Sequence, residues 1–465
     1  MALNISYKSV GKKMTMAILA QLVSLTVAFV LNLIVPKFIT IEEYSYWQTF
    51  ALYVSYVGVL HFGLLDGLML RYSQFDWEEI DKVRLRSQFF TLASVLLFFS
   101  ITGVLISMIL DDAISSKLVL LVSIGIISKN VFTFNSYVFQ LTNRIEKYAV
   151  LTIIHRLIMG IVIIVLIILK VQNFIWYCCA ELCADFVSFI ITSRWNRSLY
   201  WGRIPNINYL LSETTSNVYS GIKLLIANWA SMFLIGSARM VIQWRWDLIT
   251  FGKVSFAFSL TNLFLSIITA VSIVFFPTIK RLDNDRLPLL YIRTRGILNK
   301  FLFAALILYF PLSYILKLWL PQYSQSIYYL GILLPIIVFS SKVMLLTNNY
   351  LKAYRKEGLM LKINIFSVSV SILGFIVSAF VFGSIDLLLV WALIAIIMRS
   401  VISELVVSNI INVNFKYEYV MEVFMVLGFV LCSSFIHSIA LSCLIYTAIY
   451  LGYVFVSNKF SCKVQ

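Results

Sequence analysis

The sequence predicts an all-α protein that crosses a membrane about fourteen times. Of its 465 residues, 61% are hydrophobic and only 12% are charged, whereas soluble domains are roughly 25% charged. This composition leaves too few charged side chains to cover a water-facing exterior, so lipid must be the solvent. The apolar residues also form long continuous runs, and at ~20 residues per span they would fill about fourteen helices.

Charged or proline- and glycine-rich breaks between these runs set the order of the spans. The predicted spans are 14–35, 47–65, 89–110, 118–141, 148–169, 174–192, 221–244, 254–279, 301–320, 328–350, 363–382, 387–407, 420–435 and 439–456. The first span follows three lysines, as a signal sequence would, but it lacks a small-residue cleavage site. Because it is also long enough to cross a bilayer, we expect an uncleaved first helix.

The spacing of the breaks indicates two six-helix lobes at 1–195 and 221–410, joined by a cytoplasmic linker at 196–220. A faint repeat agrees: Thr, Ser and an aromatic residue recur at the same offsets in 40–47 and 250–257. Paired lobes of this kind are common among transporters. Residues 411–465 would then add two further helices and a cytoplasmic tail.

The basic residues predict which side each loop occupies. The chain has 37 Lys and Arg against 21 Asp and Glu, and most of the basic residues fall in alternate loops, as the positive-inside rule requires. Both termini are then cytoplasmic. The excess of basic residues is explained by the positively charged cytoplasmic loops of a membrane protein, so we expect no nucleic-acid partner.

The sequence lacks several common nucleotide-binding, catalytic and metal-binding motifs. It has no phosphate-binding Gly-x-x-x-x-Gly-Lys-Ser/Thr loop, no His-Glu-x-x-His, no Gly-x-Ser-x-Gly and no Cys-x-x-Cys. The histidines His61, His155 and His437 lie on separate predicted helices without metal-ligand spacing. We therefore expect a transporter rather than an enzyme, with no metal or organic cofactor.

Basic residues inside the predicted spans are the first candidates for function, because a charge at the bilayer centre costs roughly 2.5–3.5 kcal/mol. They are Lys129, Arg156, Lys223, Arg239, Lys342 and Arg399. Arg156 and Lys223 lie near a cytoplasmic end and can snorkel, and Arg239 is about one turn from the outer end of its helix. The others lie near mid-span, and of these Arg399 best fits a structural role.

Polar residues share helix faces with one another or with these cations. Asn228 shares a face with Arg239 in the seventh span, and Gln21 and Asn32 share one in the first. Such stripes either hold helices together or line an aqueous path. Because several stripes carry cations, we favour a cationic lumen that accepts an anionic passenger.

Two carboxylates lie inside the sixth span. Glu181 and Asp185 are four residues apart on one helix face, and like charges so close in a low dielectric should not both ionise. One reading is a site for H+ or Na+ that couples an ion gradient to transport. The other is that they neutralise intramembrane cations such as Lys129 or Arg156.

Several motifs, taken in order, resemble a known family. Pro36-Lys-Phe-Ile-Thr-Ile-Glu-Glu-Tyr-Ser-Tyr-Trp47 and Phe62-Gly-Leu-Leu-Asp-Gly-Leu-Met-Leu-Arg71 resemble the start of the polysaccharide repeat-unit flippases of the O-antigen or capsule type. These belong to the multidrug/oligosaccharidyl-lipid/polysaccharide exporter superfamily. Residues 139–148 and 274–281 look like that family's fourth-to-fifth connector and eighth-span exit, while Ser45 replaces its usual glycine.

The resemblance implies a lipid-linked oligosaccharide flippase of the bacterial inner membrane. Its two lobes would enclose a cavity that opens alternately to the cytoplasm and the periplasm. The passenger would be an undecaprenyl-pyrophosphate-linked repeat unit, surrounded by membrane lipids. A polysaccharide polymerase and a chain-length regulator are candidate partners.

We expect Arg239, Lys129 and Arg71 to contact pyrophosphate or acidic sugars, and Gln21, Asn32 and Asn228 to line the path. The candidate substrate-binding residues are Arg239, Lys129, Arg71, Lys342, Arg156, Gln21, Asn32 and Asn228, and the candidate ion-coupling residues are Glu181 and Asp185. Two alternatives stay open. A small-molecule exporter of the same superfamily should use acidic residues for cationic drugs, and a polysaccharide polymerase should have a large periplasmic loop.

Overall fold

The computed structural model describes residues 7–203, 205–281, 287–354, 356–413, 415–436 and 438–461, which form twenty α-helices. The helices are α1 Tyr7–Phe29, α2 Val35–Phe38, α3 Ile41–Tyr56, α4 Leu64–Tyr72, α5 Lys82–Ile109, α6 Ala113–Leu141, α7 Ile145–Ile168, α8 Phe174–Ser193, α9 Arg197–Tyr200, α10 Ile207–Arg245, α11 Leu248–Arg281, α12 Leu287–Ile307, α13 Tyr309–Trp319, α14 Ser324–Leu333, α15 Ile336–Ser341, α16 Asn348–Ala353, α17 Glu357–Ile376, α18 Ile385–Ile410, α19 Lys416–Phe435 and α20 Ile439–Ser461.

The length and apolar character of the helices confirm the predicted fold class. In the described part of the chain, 12 helices are long and apolar enough to cross a membrane, and two bent pairs raise the number to 14. One pair bends by 56° between Ile41–His61 and Leu64–Tyr72, and the other by 50° between Pro321–Leu333 and Ile336–Ala353. At the first bend Gly63 has φ of 83°, a left-handed conformation that glycine adopts without strain.

The chain divides into two compact units, residues 1–229 and 230–465, and the division falls within α10. Residues 207–220, predicted to be part of a linker, form the first turns of α10. In the first unit α6 is the central helix, since it packs against α3, α4, α5, α7 and α8. The side chains of α6, α7 and α8 are therefore positioned together.

In the second unit, α18 packs against α14, α15 and α17, and α11 packs against α14 and α15. The last two helices also belong to this unit, because α19 contacts α14 and α20 contacts α12 and α13. Phe310, Phe429 and Tyr446 join them, with ring centroids 5.2–6.1 Å apart. These edge and tilted ring contacts anchor α19 and α20 to α13.

Candidate functional site

Glycines bring α4 and α10 into direct backbone contact. A Cβ atom on Gly67 would lie 1.9 Å from the carbonyl oxygen of Asn217, and one on Gly221 would lie 2.0 Å from that of Gly63. Gly63 and Gly67 have the four-residue spacing that lets membrane helices approach closely. Both lie in the segment 62–71 on which the family resemblance rests.

This close approach aligns Arg71 with a carboxylate. Its Nη1 donates to Oε1 of Glu213 at 2.7 Å and to Oδ1 of Asn217 at 2.6 Å. The hydroxyl of Tyr72 also donates to Glu213, and Nε of Arg84 lies 4.0 Å from Oε2 of the same carboxylate. The predicted substrate residue Arg71 is therefore ion-paired, and an arriving anion would compete with Glu213.

The sequence pattern does not single out Glu213. It is 8% exposed and lies in the segment assigned to a linker, where a carboxylate is expected to be solvated. It is also the single acidic residue between Asp185 and Asp247. That isolation, within a basic region, was the available signal that it pairs with a cation.

The structure brings together three of the predicted residues halfway along α6 and α8. Nζ of Lys129 lies 3.4 Å from Oε1 of Glu181 and 3.9 Å from Oδ1 of Asp185. Asp185 is fully buried and also accepts a long hydrogen bond from Oγ of Ser128 at 3.5 Å. We name Lys129, Glu181, Asp185 and His155 the mid-helix cluster.

His155 enters this cluster from α7, with Nε2 3.0 Å from Oδ1 of Asp185. Neither of these two atoms forms a hydrogen bond within the described part of the chain. Arg156, the next residue, is half-buried and close enough to Lys129 for their charges to repel. The two cations balance the two carboxylates, and a proton on His155 would add one positive charge.

The surroundings of the mid-helix cluster affect which cations it could bind. Within the described ranges, no three His, Cys, Asp or Glu side chains come together as a metal site requires. The ammonium group of Lys129 also lies within 3.9 Å of both carboxylates. A sodium ion bound there would be repelled by that charge.

Lys342 lies in a second group of charges, in the second unit. It begins a π-helical segment, Lys342–Thr347, and is fully buried. Its Nζ contacts Oε2 of Glu404 at 2.8 Å and Oε2 of Glu422 at 2.6 Å. An anionic substrate could reach Lys342 only by displacing these carboxylates.

Arg295 completes this group, which we name the buried quartet: Arg295, Lys342, Glu404 and Glu422. Its Nε lies 3.1 Å from Oε1 of Glu404, and its Nη2 lies 2.6 Å from Oε1 of Glu422. Each cation therefore contacts both carboxylates, and the quartet is electrically neutral. The sequence predicts that this span begins at residue 301, which leaves Arg295 in a loop. This is wrong, because α12 begins at Leu287 and Arg295 is only 3% exposed.

Arg399 is a buried cation of a different kind. It lies near the middle of α18 and is 8% exposed. Its Nε donates to Oδ1 of Asn364 at 2.9 Å, and its Nη2 donates to Oγ of Ser231 at 2.8 Å. Both partners are neutral, and no carboxylate in the described part of the chain forms an ion pair with Arg399. The structural role expected from the sequence explains its position but not its uncompensated charge.

Arg239 bridges α10 and α11. Its Nε donates to Oγ of Ser255 at 3.2 Å, and its guanidinium lies 5.7 Å from the ring centroid of Phe251. The side chain is partly exposed. Arg239 and Arg399 both lie in the second unit, on α10 and α18.

The three predicted amides have separate surroundings. Gln21 is half-buried on α1, and Asn228 is exposed on α10. Asn32 lies in the π-helical segment Val30–Ile34, where its Nδ2 donates to the carbonyl oxygen of Ala28 at 2.7 Å. That bond uses one of the two amide hydrogens of Asn32 within its own helix.

Solved structures with the same fold are transporters. Lipid II flippase MurJ in an inward closed conformation has a TM-score of 0.70 at 12% identity, over 97% of this chain and 99% of that one. A multidrug resistance MATE family transporter of the MOP superfamily, inward-facing, has a TM-score of 0.60 at 11% identity, over 84% and 94%.

An outward-facing MATE family transporter gives 0.51 at 13% identity, over 86% and 94% of the two chains. No protein-family model and no curated protein matches the sequence. The chain thus has the fold of MOP superfamily transporters.

Proposed function

We propose that this protein is a flippase that moves an undecaprenyl-pyrophosphate-linked oligosaccharide from the cytoplasmic to the periplasmic leaflet of the bacterial inner membrane by alternating access. The multi-pass helical fold, shared with a lipid II flippase, supports the transport of a lipid-linked passenger. The sequence motifs at 36–47 and 62–71 support a polysaccharide repeat unit as that passenger.

The main support for this proposal is that Arg399 is buried and forms no ion pair in the described part of the chain. A guanidinium at mid-helix without a carboxylate partner is unfavourable in hydrocarbon. Binding of an anion would stabilise the buried charge. Arginine binds phosphate oxygens through two parallel N–H bonds. We therefore assign Arg399, together with Arg239, to the pyrophosphate or to acidic sugars.

We assign a smaller role in substrate binding to Lys342, Lys129 and Arg71, because each already contacts a carboxylate. Their charges hold helices in position and would bind substrate only after rearrangement. The presence of a cation without a carboxylate partner also distinguishes the flippase from a small-molecule exporter for cationic drugs. Such an exporter would need an uncompensated acidic residue where Arg399 supplies an uncompensated cation.

The mid-helix cluster is our candidate for coupling transport to a proton. Asp185 faces Lys129, His155 and Ser128, with Glu181 and Arg156 nearby. Protonation of Asp185 or His155 would change the charge balance that joins α6, α7 and α8. A change at this position would alter the packing of three helices at once.

The test replaces Arg399 by Gln in a strain that depends on this protein for surface glycan. We expect surface glycan to be lost and complete repeat units to accumulate on the cytoplasmic leaflet, at an unchanged protein level. Arg399→Lys should retain partial function, since it keeps the charge but not the two-bond geometry. Arg239→Ala should likewise abolish surface glycan.

The matched control is Arg245→Gln, because Arg245 is an exposed cation at the end of α10. It loses the same charge without affecting a buried site, so surface glycan should stay normal. Normal surface glycan in Arg399→Gln cells at the wild-type protein level would show that Arg399 does not bind the substrate.

A further inference from the structure

A pocket of about 910 Å³ lies in the first unit where α5 and α8 meet α9. Aromatic rings form its wall. Phe89 and Phe189 are stacked with centroids 6.1 Å apart, and the edge of Tyr200 meets both rings, at 4.8 and 5.6 Å. These rings offer an apolar surface to any chain that enters.

A buried arginine holds the floor of this pocket in place. Arg86 is 6% exposed, and its guanidinium donates to the carbonyl oxygens of Ser198, Leu199, Trp201 and Arg203 at 2.6–3.0 Å. Gly202 has φ of 137°, and a Cβ atom there would lie 2.5 Å from Nη1 of Arg86. The segment 198–203, which lines one side of the pocket, is therefore held against α5.

Two exposed arginines stand at the mouth of the pocket. Arg194 and Arg197 both line it, three residues apart and directly after α8 ends at Ser193. Neither forms an ion pair within the part of the chain that the structure describes. Trp201, 74% exposed, lies beside them. The end of a span is the depth of lipid headgroups, where tryptophan and arginine gather.

We propose that this pocket binds an acidic phospholipid of the predicted cytoplasmic leaflet, with the phosphate on Arg194 and Arg197 and an acyl chain against the aromatic wall. The charges of the mouth and the headgroup are complementary. Basic pockets between helices on the cytoplasmic side recognise anionic headgroups in this way. The inference is independent of the proposed passenger, because it needs only the pocket and the surrounding bilayer.

The experiment titrates the purified full-length protein in detergent with phosphatidylglycerol that carries brominated acyl chains. Bromine quenches tryptophan fluorescence on contact, so the part of the quenching that Trp201→Phe removes reports occupancy of the pocket. We expect this Trp201-dependent part to be saturable, and to be absent with brominated phosphatidylcholine. Arg194→Gln with Arg197→Gln should raise the dissociation constant roughly thirtyfold, from the usual contribution of two basic residues at an anionic surface.

Lys352→Gln with Lys356→Gln is the matched control, since it removes two exposed cations of the same predicted side outside the pocket. Its dissociation constant should equal that of the wild type. Equal affinity in the Arg194/Arg197 variant, or equal binding of phosphatidylcholine, would overturn the proposal. Displacement of quenching by farnesyl pyrophosphate but not by unlabelled phosphatidylglycerol would also overturn it, and would identify a polyprenyl-pyrophosphate site instead.

Discussion

Replacing Glu422 by Gln should destabilise the second unit through the buried quartet. Glu422 contacts Arg295 and Lys342, both at 2.6 Å, and accepts a hydrogen bond from Asn299 at 2.7 Å. The glutamine can still accept from Asn299, but it leaves two buried cations facing one carboxylate. Breaking a buried ion pair costs about 3–5 kcal/mol, and we expect about 3 kcal/mol here because one hydrogen bond is kept.

A double variant tests the electrostatic reasoning. Lys342→Met alone should also cost about 3 kcal/mol, because it leaves two carboxylates with one cation. Together with Glu422→Gln it restores neutrality, so the pair should cost far less than the sum of the single changes. Glu418→Gln, one turn earlier on α19 and outside the quartet, is the control and should cost under about 0.5 kcal/mol.

The assay is reversible unfolding of the purified protein in mixed micelles at increasing dodecyl sulfate fraction, followed by tryptophan fluorescence. A loss of less than about 1 kcal/mol in the free energy of unfolding for Glu422→Gln would show that the ion pairs of the buried quartet do not stabilise the second unit as their distances indicate. Strictly additive costs in the double variant would refute the charge-balance argument in the same way.

Three further predictions follow from the helix contacts. Gly67→Ala should cost about 1–3 kcal/mol, because its Cβ would overlap the carbonyl oxygen of Asn217, whereas Gly58→Ala, with no atom within 4 Å, should behave as wild type in the same unfolding assay. Asp247→Ala should cost about 1 kcal/mol at pH 7, because the carboxylate accepts from the backbone N–H and hydroxyl of Thr250 at the start of α11. The hydroxyl bond holds the pKa of Asp247 below its ordinary 3.8. The stabilisation is therefore present above that ordinary value and is lost as the pH falls below it, so wild type and variant should converge in acid; a constant difference down to acid pH would contradict this. Asp185→Asn should make transport by reconstituted vesicles insensitive to a pH gradient, and unchanged sensitivity would exclude the mid-helix cluster from coupling.

The fold was predictable because hydropathy alone determines which segments cross the bilayer. The fourteen predicted spans correspond, in the described part of the chain, to twelve apolar helices and two bent pairs. The bends were not predicted. Gly63 gave a local hint of one bend, since glycine permits positive φ. The early start of α10 was missed because its first turns are polar, and polar helical turns resemble a linker in a hydropathy reading.

The candidate site was predictable only in part, because the partners of a charge lie far along the sequence. Lys129, Glu181 and Asp185 were predicted and lie together, since helix periodicity places each of them on a buried face. Glu422 lies 80 residues from its partner Lys342, and Glu213 lies 142 residues from Arg71. No spacing rule connects such pairs, so the sequence could not separate paired cations from Arg399.

The most direct test of the central proposal is the distribution of polyprenyl-pyrophosphate-linked glycan between the two leaflets of cells that lack this protein. If the protein is the flippase, complete repeat units will accumulate on the cytoplasmic leaflet and surface glycan will be scarce. Single repeat units that reach the outer face unpolymerised would indicate a polymerase. An unchanged distribution in both leaflets would contradict the account and favour a small-molecule exporter.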